Sequence, residues 1–229
     1  MTWGDGGPET RKHLLKRYSE DRNELLEKLA VLYPTLESLR PSEKVELVIT
    51  DICQFHVVDE PLCKMQLALC DFRSKTVIVN SKMGEDVHHN TNLELLRCST
   101  LAHELGHIRL HADEIAEGCT LQYMGSSGQF SDSRGYQKER EADFYAGIFL
   151  VPVEDLLEDR CVQKILGSLK EKRAMNTGAL WRILYRLAHR FQVSPTLMKR
   201  CLMDLGWLEQ GDLRKNGLRE IRLRLAAQF

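Results

Sequence analysis

The sequence predicts a mainly helical fold that contains one small β element in its first half. Apolar residues recur at helical spacing through residues 9–39, 41–53 and 93–111. Two runs of alternating or β-branched residues, 65–70 and 76–80, flank a short polar stretch, which indicates a β-hairpin. The chain has 229 residues, of which 43% are hydrophobic and 28% charged. That composition allows a core of useful size to be buried.

Prolines and glycines separate the predicted elements. Pro34 interrupts the N-terminal helical stretch, because proline lacks a backbone donor and clashes with the preceding turn. Residues 117–135 are rich in glycine and serine, so we predict a flexible loop there. A further helix is predicted over 137–150, ending before Pro152, and another over 153–172.

Charge is distributed unevenly along the chain, although the formal net charge is only −1. From Cys161 onward 14 Lys and Arg stand against 5 Asp and Glu, whereas residues 1–160 carry 18 basic and 28 acidic residues. A basic segment can contact nucleic acid, an acidic partner or the acidic part of its own chain. We therefore predict an N-terminal tail with helices over 1–42, a central domain over 43–160 and a basic helical segment over 161–229.

Cysteine usage and the N-terminal residues bear on the compartment. The seven cysteines include no Cys-x-x-Cys pair, which favours free thiols over a disulfide framework. Residues 1–8 lack the basic start and apolar stretch of a signal peptide. No apolar run approaches the roughly 18 residues of a membrane-spanning helix. We expect a cytoplasmic protein that makes no contact with a membrane.

A His-Glu-x-x-His motif, formed by His103, Glu104 and His107, lies within the predicted helix 93–111. Residues four apart share one helix face, so both imidazoles can reach a single ion. Catalytic zinc takes three protein ligands and leaves a position for water, whose proton Glu104 can accept. The motif therefore predicts a zinc site with Glu104 as general base; Mn²⁺ or Fe²⁺ can use the same ligands. The alternative is a solvated helix that carries these residues by chance.

The third ligand is predicted on the helix 137–150. There Glu139 and Asp143 share a face with small alanines, which let this helix approach the first one closely. We predict Glu139 as the ligand, and Asp143 as acceptor for the free N–H of a ligand histidine. Glu141 points roughly to the other side and is the second choice. His111 lies about 12 Å along the helix axis from His103, too far for one ion to bind both easily.

Four other residues are candidates by type or proximity. Tyr136 and Tyr145 are candidates for stabilising an oxyanion, by residue type alone. His88 and His89 precede the helix 93–111 in a polar stretch, and the sequence does not place them relative to the cleft.

Two stretches resemble one known family. Residues 97–111 resemble the active-site helix of ImmA/IrrE-type metallopeptidases, and residues 139–152 resemble their second helix, which typically reads E-x-E-A-N-x-F-A and ends in L-L-x-P. Asp143 stands where Asn is common and Tyr145 where Phe is usual, and neither departure disturbs ligation. The resemblance covers about residues 45–155.

The resemblance implies a compact, zincin-like α+β fold, in which a small antiparallel sheet lies beside an active-site helix and a glutamate helix. Family members commonly cleave helix-turn-helix repressors and so switch on stress, prophage or mobile-element genes. The strand 76–80 would be the sheet edge that holds an extended substrate, with Val77 and Val79 as substrate-binding residues. We therefore expect a zinc endopeptidase that cuts a regulatory protein. The alternatives are a repressor-binding protein that does not cleave, and a nucleic-acid-binding regulator with a vestigial metal site.

The segment 187–208 resembles a helix-turn-helix in its sequence. Ser194 is expected to cap a second helix that has Pro195 at its first position. Lys199 and Arg200 lie in the middle of that helix, not at the N-terminal end where base-reading residues are expected. Specific DNA binding, non-specific nucleic-acid contact and plain structural support are therefore all open.

Overall fold

The computed structural model describes residues 8–63, 66–85, 92–112, 120–123, 133–213 and 219–223. The chain divides into two compact units, Met1–Leu150 and Val151–Phe229. The predicted division after residues 42 and 160 stays a prediction. None of the described helices combines the length and apolarity that a membrane crossing requires.

The first unit combines helices with one sheet, which makes its described part α+β. Its helices are α1 (Pro8–Leu32), α2 (Pro41–Leu47), α3 (Leu93–His111) and α4 (Ser133–Leu150), and its strands are β1 (His56–Glu60), β2 (Ala68–Asp71), β3 (Thr76–Asn80) and β4 (Thr120–Tyr123). A 3₁₀ turn at Leu36–Ser38 follows α1, and a π-helical turn at Val48–Ile52 extends α2.

The ends of these helices follow from local side chains. The backbone N–H of Arg40 donates to the Glu43 carboxylate at 2.7 Å, which caps α2 at its proline start. The Asn92 side chain accepts from the N–H groups of Glu94 and Leu95 at 3.0 and 3.2 Å, so α3 begins where predicted. Part of the predicted loop 117–135 is regular structure, because β4 and the first residues of α4 fall within it. Residues 117–119 and 124–132 of that prediction lie outside the described residues.

The sheet has the strand order β1-β3-β2-β4. The predicted hairpin is confirmed, since β2 and β3 pair antiparallel with Ala68 opposite Val79 and Cys70 opposite Val77. However, β1 pairs parallel with β3, so the sheet is mixed and the prediction of a purely antiparallel sheet is wrong. The parallel pair requires the chain to cross over between β1 and β3, which local alternation of residues does not reveal.

The prediction that strand Thr76–Asn80 lies at the sheet edge is also wrong. This strand, β3, has β1 on one side and β2 on the other, so its backbone hydrogen bonds are already used. Val77 and Val79 are 0% and 1% exposed and belong to the core. The argument that these two valines hold an extended substrate therefore no longer applies. Among the described strands, β1 and β4 form the edges.

Helices α3 and α4 pack closely at Gly106. A Cβ atom added to Gly106 would lie 2.9 Å from both the Cα and the carbonyl oxygen of Ala142. Real Cβ atoms essentially never approach backbone atoms this closely, so the contact requires glycine on α3. The fully buried Ala142 completes the contact from α4.

The second unit contains four helices and a hairpin in its described residues: α5 (Val153–Glu158), α6 (Arg160–Lys170), α7 (Thr177–Arg190), α8 (Pro195–Asp204), β5 (Leu208–Leu213) and β6 (Arg219–Leu223). The single helix predicted over 153–172 is two helices, because Asp159 is extended and its side chain accepts from the N–H of Cys161 at 2.6 Å, capping α6. Ser194 accepts from the N–H of Leu197 at 3.1 Å, which confirms the predicted cap of α8.

We expect Gly106→Ala to lower the free energy of unfolding by about 1–3 kcal/mol, because the added methyl group must push α4 away from α3. Urea denaturation of the metal-free protein measures this. Gly167→Ala is the matched control, since a Cβ there would meet nothing within 4 Å. That change within α6 is expected to stabilise by about 0.5–1 kcal/mol. Equal or opposite effects would contradict the close approach.

Candidate metal centre

Three side chains converge between α3 and α4. One ligand atom from each of His103, His107 and Glu139 lies within 4.8 Å of the other two, and all three residues are buried. The two Nε2 atoms are 3.0 Å apart. Glu139 places one carboxylate oxygen 3.0 Å from His103 Nε2 and the other 3.3 Å from His107 Nε2. Two nitrogens and a carboxylate oxygen therefore face one small volume.

Helix geometry explains this convergence. His103 and His107 are one turn apart on α3, and their rings meet edge-on with centroids 4.7 Å apart. Glu139 lies one turn before Ala142 on α4, and the close approach of Ala142 to Gly106 brings this carboxylate to the histidines. The predicted grouping of these three residues is thus present in the structure.

Asp143 contacts His103 at the ring nitrogen that is not part of the converging group. Its carboxylate lies 3.0 Å from His103 Nδ1. When Nδ1–H donates to Asp143, the Nε2 lone pair of His103 is directed at the converging atoms. The aspartate therefore fixes both the tautomer and the orientation of the ring.

Glu104 is the unusual group of the site. It is 0% exposed, and neither carboxylate oxygen has a hydrogen-bond partner in the described part of the chain. Burial raises the pKa of Glu104 to about 8. The charge of Glu139 adds to this rise, whereas the charge of His103 opposes it. A buried carboxyl without a partner costs about 1–3 kcal/mol or more. Such a group is retained where a cation, water or substrate supplies the missing contact.

The charges of the three converging residues suit a cation. Burial lowers the pKa of His103, but hydrogen bonds to Asp143 and Glu139 outweigh it and raise that pKa to about 9. Burial lowers the pKa of His107 to about 4, so this imidazole is neutral at pH 7. Burial raises the pKa of Glu139, but hydrogen bonds from both histidines prevail and lower it to about 2. A proton on His103 occupies the place that a metal cation would take.

Two predicted alternatives lie outside this group. Glu141 accepts from Gln137 Nε2 at 2.9 Å, and its other oxygen is 3.8 Å from His111 Nε2. His111 is buried, and its Nε2 lies 3.2 Å from the carbonyl oxygen of Lys138. That contact holds the backbone next to Glu139, so His111 positions α4.

The tyrosine candidates differ in their surroundings. The Tyr145 hydroxyl donates to Asp21, and its ring packs between Tyr18 and Phe149. The structure thus gives this hydroxyl a partner other than an oxyanion. Tyr136 lies on the first turns of α4 and is about half exposed, so its proposed role stays a prediction. His88 and His89 lie outside the described residues.

Sequence reasoning missed the contribution of α1. Asp21 accepts from Arg109 Nε at 3.2 Å, from a second nitrogen of that guanidinium, and from the Tyr145 hydroxyl. Arg109 lies two residues after His107, and Tyr145 lies two residues after Asp143. One carboxylate on α1 therefore ties together both helices of the site. One feature of the sequence could have indicated this contact. Asp21 lies three residues after Tyr18 and therefore on the same helix face.

Asp21→Asn is expected to lower the free energy of unfolding by about 1.5–3 kcal/mol, because Arg109 loses its charged acceptor. Metal affinity, measured by competition with a chromophoric chelator, should fall as well, since α3 and α4 lose a common anchor. Glu20→Gln is the control, because Glu20 is mostly exposed and contacts Lys16 at 3.8 Å. Equal stability of the two variants would contradict the anchoring role of Asp21.

Comparison with known proteins agrees with this geometry. Residues 55–203 match the family model Peptidase_M78, described as the IrrE N-terminal-like domain. No curated protein matches the chain. The match spans more than half of the chain and includes both His-bearing α3 and Glu139-bearing α4. Because of this match, and because two histidines and a glutamate converge as a metal site requires, the chain belongs to the ImmA/IrrE-type family of metallopeptidases.

Proposed function

We propose that this protein is a zinc-dependent endopeptidase that hydrolyses a peptide bond in a regulatory protein. The observation that carries the proposal is the buried Glu104 carboxylate, whose oxygens have no hydrogen-bond partner among the described residues and which adjoins one of three converging ligand residues. Buried polar groups are nearly always hydrogen-bonded, so this carboxylate indicates a contact supplied from outside the chain. A general base that awaits water and substrate accounts for it.

The residues present fit a zinc ion. His103, His107 and Glu139 would hold it, because zinc accepts two imidazole nitrogens and a carboxylate oxygen and leaves a further position open in catalytic sites. When bound, the ion would polarise the scissile carbonyl and make a water molecule more acidic.

The chain's own residues handle the proton. Glu104 lies next to His103 in sequence but makes no hydrogen bond to the converging atoms. A cation held at those atoms would lower the pKa of Glu104, so that its carboxylate can accept the proton of the attacking water. The same oxygen can then deliver that proton to the leaving amine nitrogen. Asp143 keeps His103 Nδ1 protonated and the ring oriented while the charge at the site changes. Burial excludes bulk water from Glu104 and His103, whereas Asp143 is partly exposed.

The open edge of β4 is the place we propose for the substrate segment. Among the described strands β4 pairs with β2 alone, so one side of its backbone is available for an extended peptide. Helix α3, which carries Glu104, packs against β2, the strand beside β4. A peptide added to the outer side of β4 would therefore be separated from β2 by β4 alone, and β2 is the strand next to the helix that carries Glu104.

The substrate class that we propose is a helix-turn-helix transcriptional repressor, whose cleavage would derepress stress, prophage or mobile-element genes. Such an enzyme would act in the cytoplasm, and the six described cysteines, none of which forms a disulfide, are consistent with that compartment.

Incubation of the zinc-loaded protein with purified helix-turn-helix repressors tests the proposal. We expect mass spectrometry to detect one or two defined fragments of one repressor, and a chelator to abolish them. Restored cleavage on adding Zn²⁺, Mn²⁺ or Fe²⁺ separately identifies the metal that supports activity. Tight repressor binding without fragments would instead favour the non-cleaving alternative, and neither binding nor cleavage would contradict the proposed substrate class.

A further inference from the structure

We propose that α7 presents a binding surface for single-stranded nucleic acid. The surface consists of Arg182, Tyr185, Arg186 and His189, and we call it the α7 basic face. It belongs wholly to the second unit and does not depend on the proposed peptidase activity.

The α7 basic face follows from helical spacing. Its four residues are separated by three, one and three positions, which places them on one side of the helix. All four are exposed. The opposite side of α7 carries the fully buried Leu180, Leu184 and Leu187, which form the core of this unit. The orientation of the basic face is therefore set by the burial of these leucines.

The charge of this face is not neutralised within the described residues. Helix α7 contains no Asp or Glu. No described acidic side chain forms an ion pair with Arg182 or Arg186, and Arg186 contacts the Cys161 sulfur at 3.9 Å. Arg190 differs, because it is paired with Asp159 and lies over the Phe191 ring. Two guanidinium groups thus remain for phosphate oxygens.

An aromatic ring lies between these guanidinium groups. Tyr185 is 59% exposed, and its ring centroid is 6.0 Å from that of Trp181 one turn earlier. The half-buried Trp181 supports the exposed tyrosine on one side. An exposed ring flanked by cations is the arrangement that stacks unpaired bases along a charged backbone.

These features favour a single strand over other polyanions. In a duplex the bases are stacked inside and leave the Tyr185 ring without a partner, whereas a single strand offers a base face at every nucleotide. The segment from Cys161 onward carries 14 basic and 5 acidic residues, which attracts any phosphate backbone. Lys199 and Arg200 of α8 lie in the middle of that helix, away from the N-terminal end where base-reading residues are expected, and they are only partly exposed.

Fluorescence anisotropy of the full-length protein with a labelled oligothymidylate of about 20 nucleotides tests the surface. We expect Arg182→Ala/Arg186→Ala to weaken binding at least tenfold and to lower the slope of log K against log salt by about 1.4. Lys170→Ala/Lys172→Ala removes the same charge from exposed positions of the same unit and is expected to leave binding close to the parent value.

Substitution of Tyr185 gives a second, independent test of the surface. Tyr185→Ala is expected to weaken single-strand binding about 5- to 150-fold with an unchanged salt slope, whereas Tyr185→Phe keeps the parent affinity. Three results would each overturn the proposal: no binding at low salt, equal losses in the two double variants, or duplex binding as tight as single-strand binding with no effect of Tyr185→Ala.

Discussion

Glu104→Gln is expected to lower repressor cleavage by about 10²- to 10⁴-fold, because glutamine cannot accept the proton of the attacking water. Zinc affinity should stay near the parent value, since Glu104 is not among the three converging ligands. Single-turnover cleavage, followed alongside metal content, separates the two effects. Parental activity of this variant would show that another group takes the proton.

Although Glu104→Gln is expected to lower activity, it is expected to raise the stability of the metal-free folded protein. Burial raises the pKa of Glu104 from 4.5 to about 8. Between these values the folded chain binds a proton that the unfolded chain has released, so stability falls as the pH rises from about 4.5 to about 8. Glutamine has no proton to lose, and metal-free Glu104→Gln should therefore melt above the parent at pH 8. The difference should shrink at pH 4.5, which thermal denaturation at both pH values measures.

Glu139→Gln is expected to reduce zinc affinity by more than about 100-fold, because removal of even an outer hydrogen-bond partner of a metal ligand costs about 10- to 100-fold. The amide that replaces the carboxylate is neutral and supplies no charge to balance the cation. Chelator competition measures the affinity directly, without reference to activity. Cleavage is expected to disappear with the metal and to recover in part at high zinc concentration.

Glu141→Gln is the matched control for this experiment. Glu141 is two residues away on the same helix, but it accepts from Gln137 and lies 3.8 Å from His111, outside the ligand group. Its replacement is expected to leave zinc affinity close to that of the parent. If Glu141→Gln lost the metal and Glu139→Gln retained it, the assignment of the third ligand would be reversed.

The centre of the site could be predicted because its determinants are local. His103 and His107 are one turn apart, so helix periodicity alone places them on one face. The start of α3 follows from the Asn92 cap. The third ligand required a further step, in which small residues on α4 predicted a close helix pair, and the contact between Gly106 and Ala142 accounts for that approach.

Predictions that depended on distant contacts were less successful. The alternating pattern of β3 identifies a strand but not its neighbours, so its interior position beside the parallel β1 was missed. Asp21 was missed for a similar reason, because its place on the helix face of Tyr18 does not show that it accepts from Arg109 and Tyr145. Both features join residues that are far apart in the chain.

The sequence by itself determined the two helices of the site, the two histidines with their adjacent glutamate, and the hairpin. These depend on periods of 3.6 and 2 residues, which act over a few positions. The sequence favoured Glu139 over Glu141 as the third ligand, and the tertiary structure brings Glu139 to the histidines. Only the tertiary structure decided that β3 lies inside the sheet, that β4 is an edge among the described strands, and that α1 anchors the site. The reason is that strand order and helix contacts are set by burial and hydrogen bonding between distant segments, whose energies depend on the whole fold.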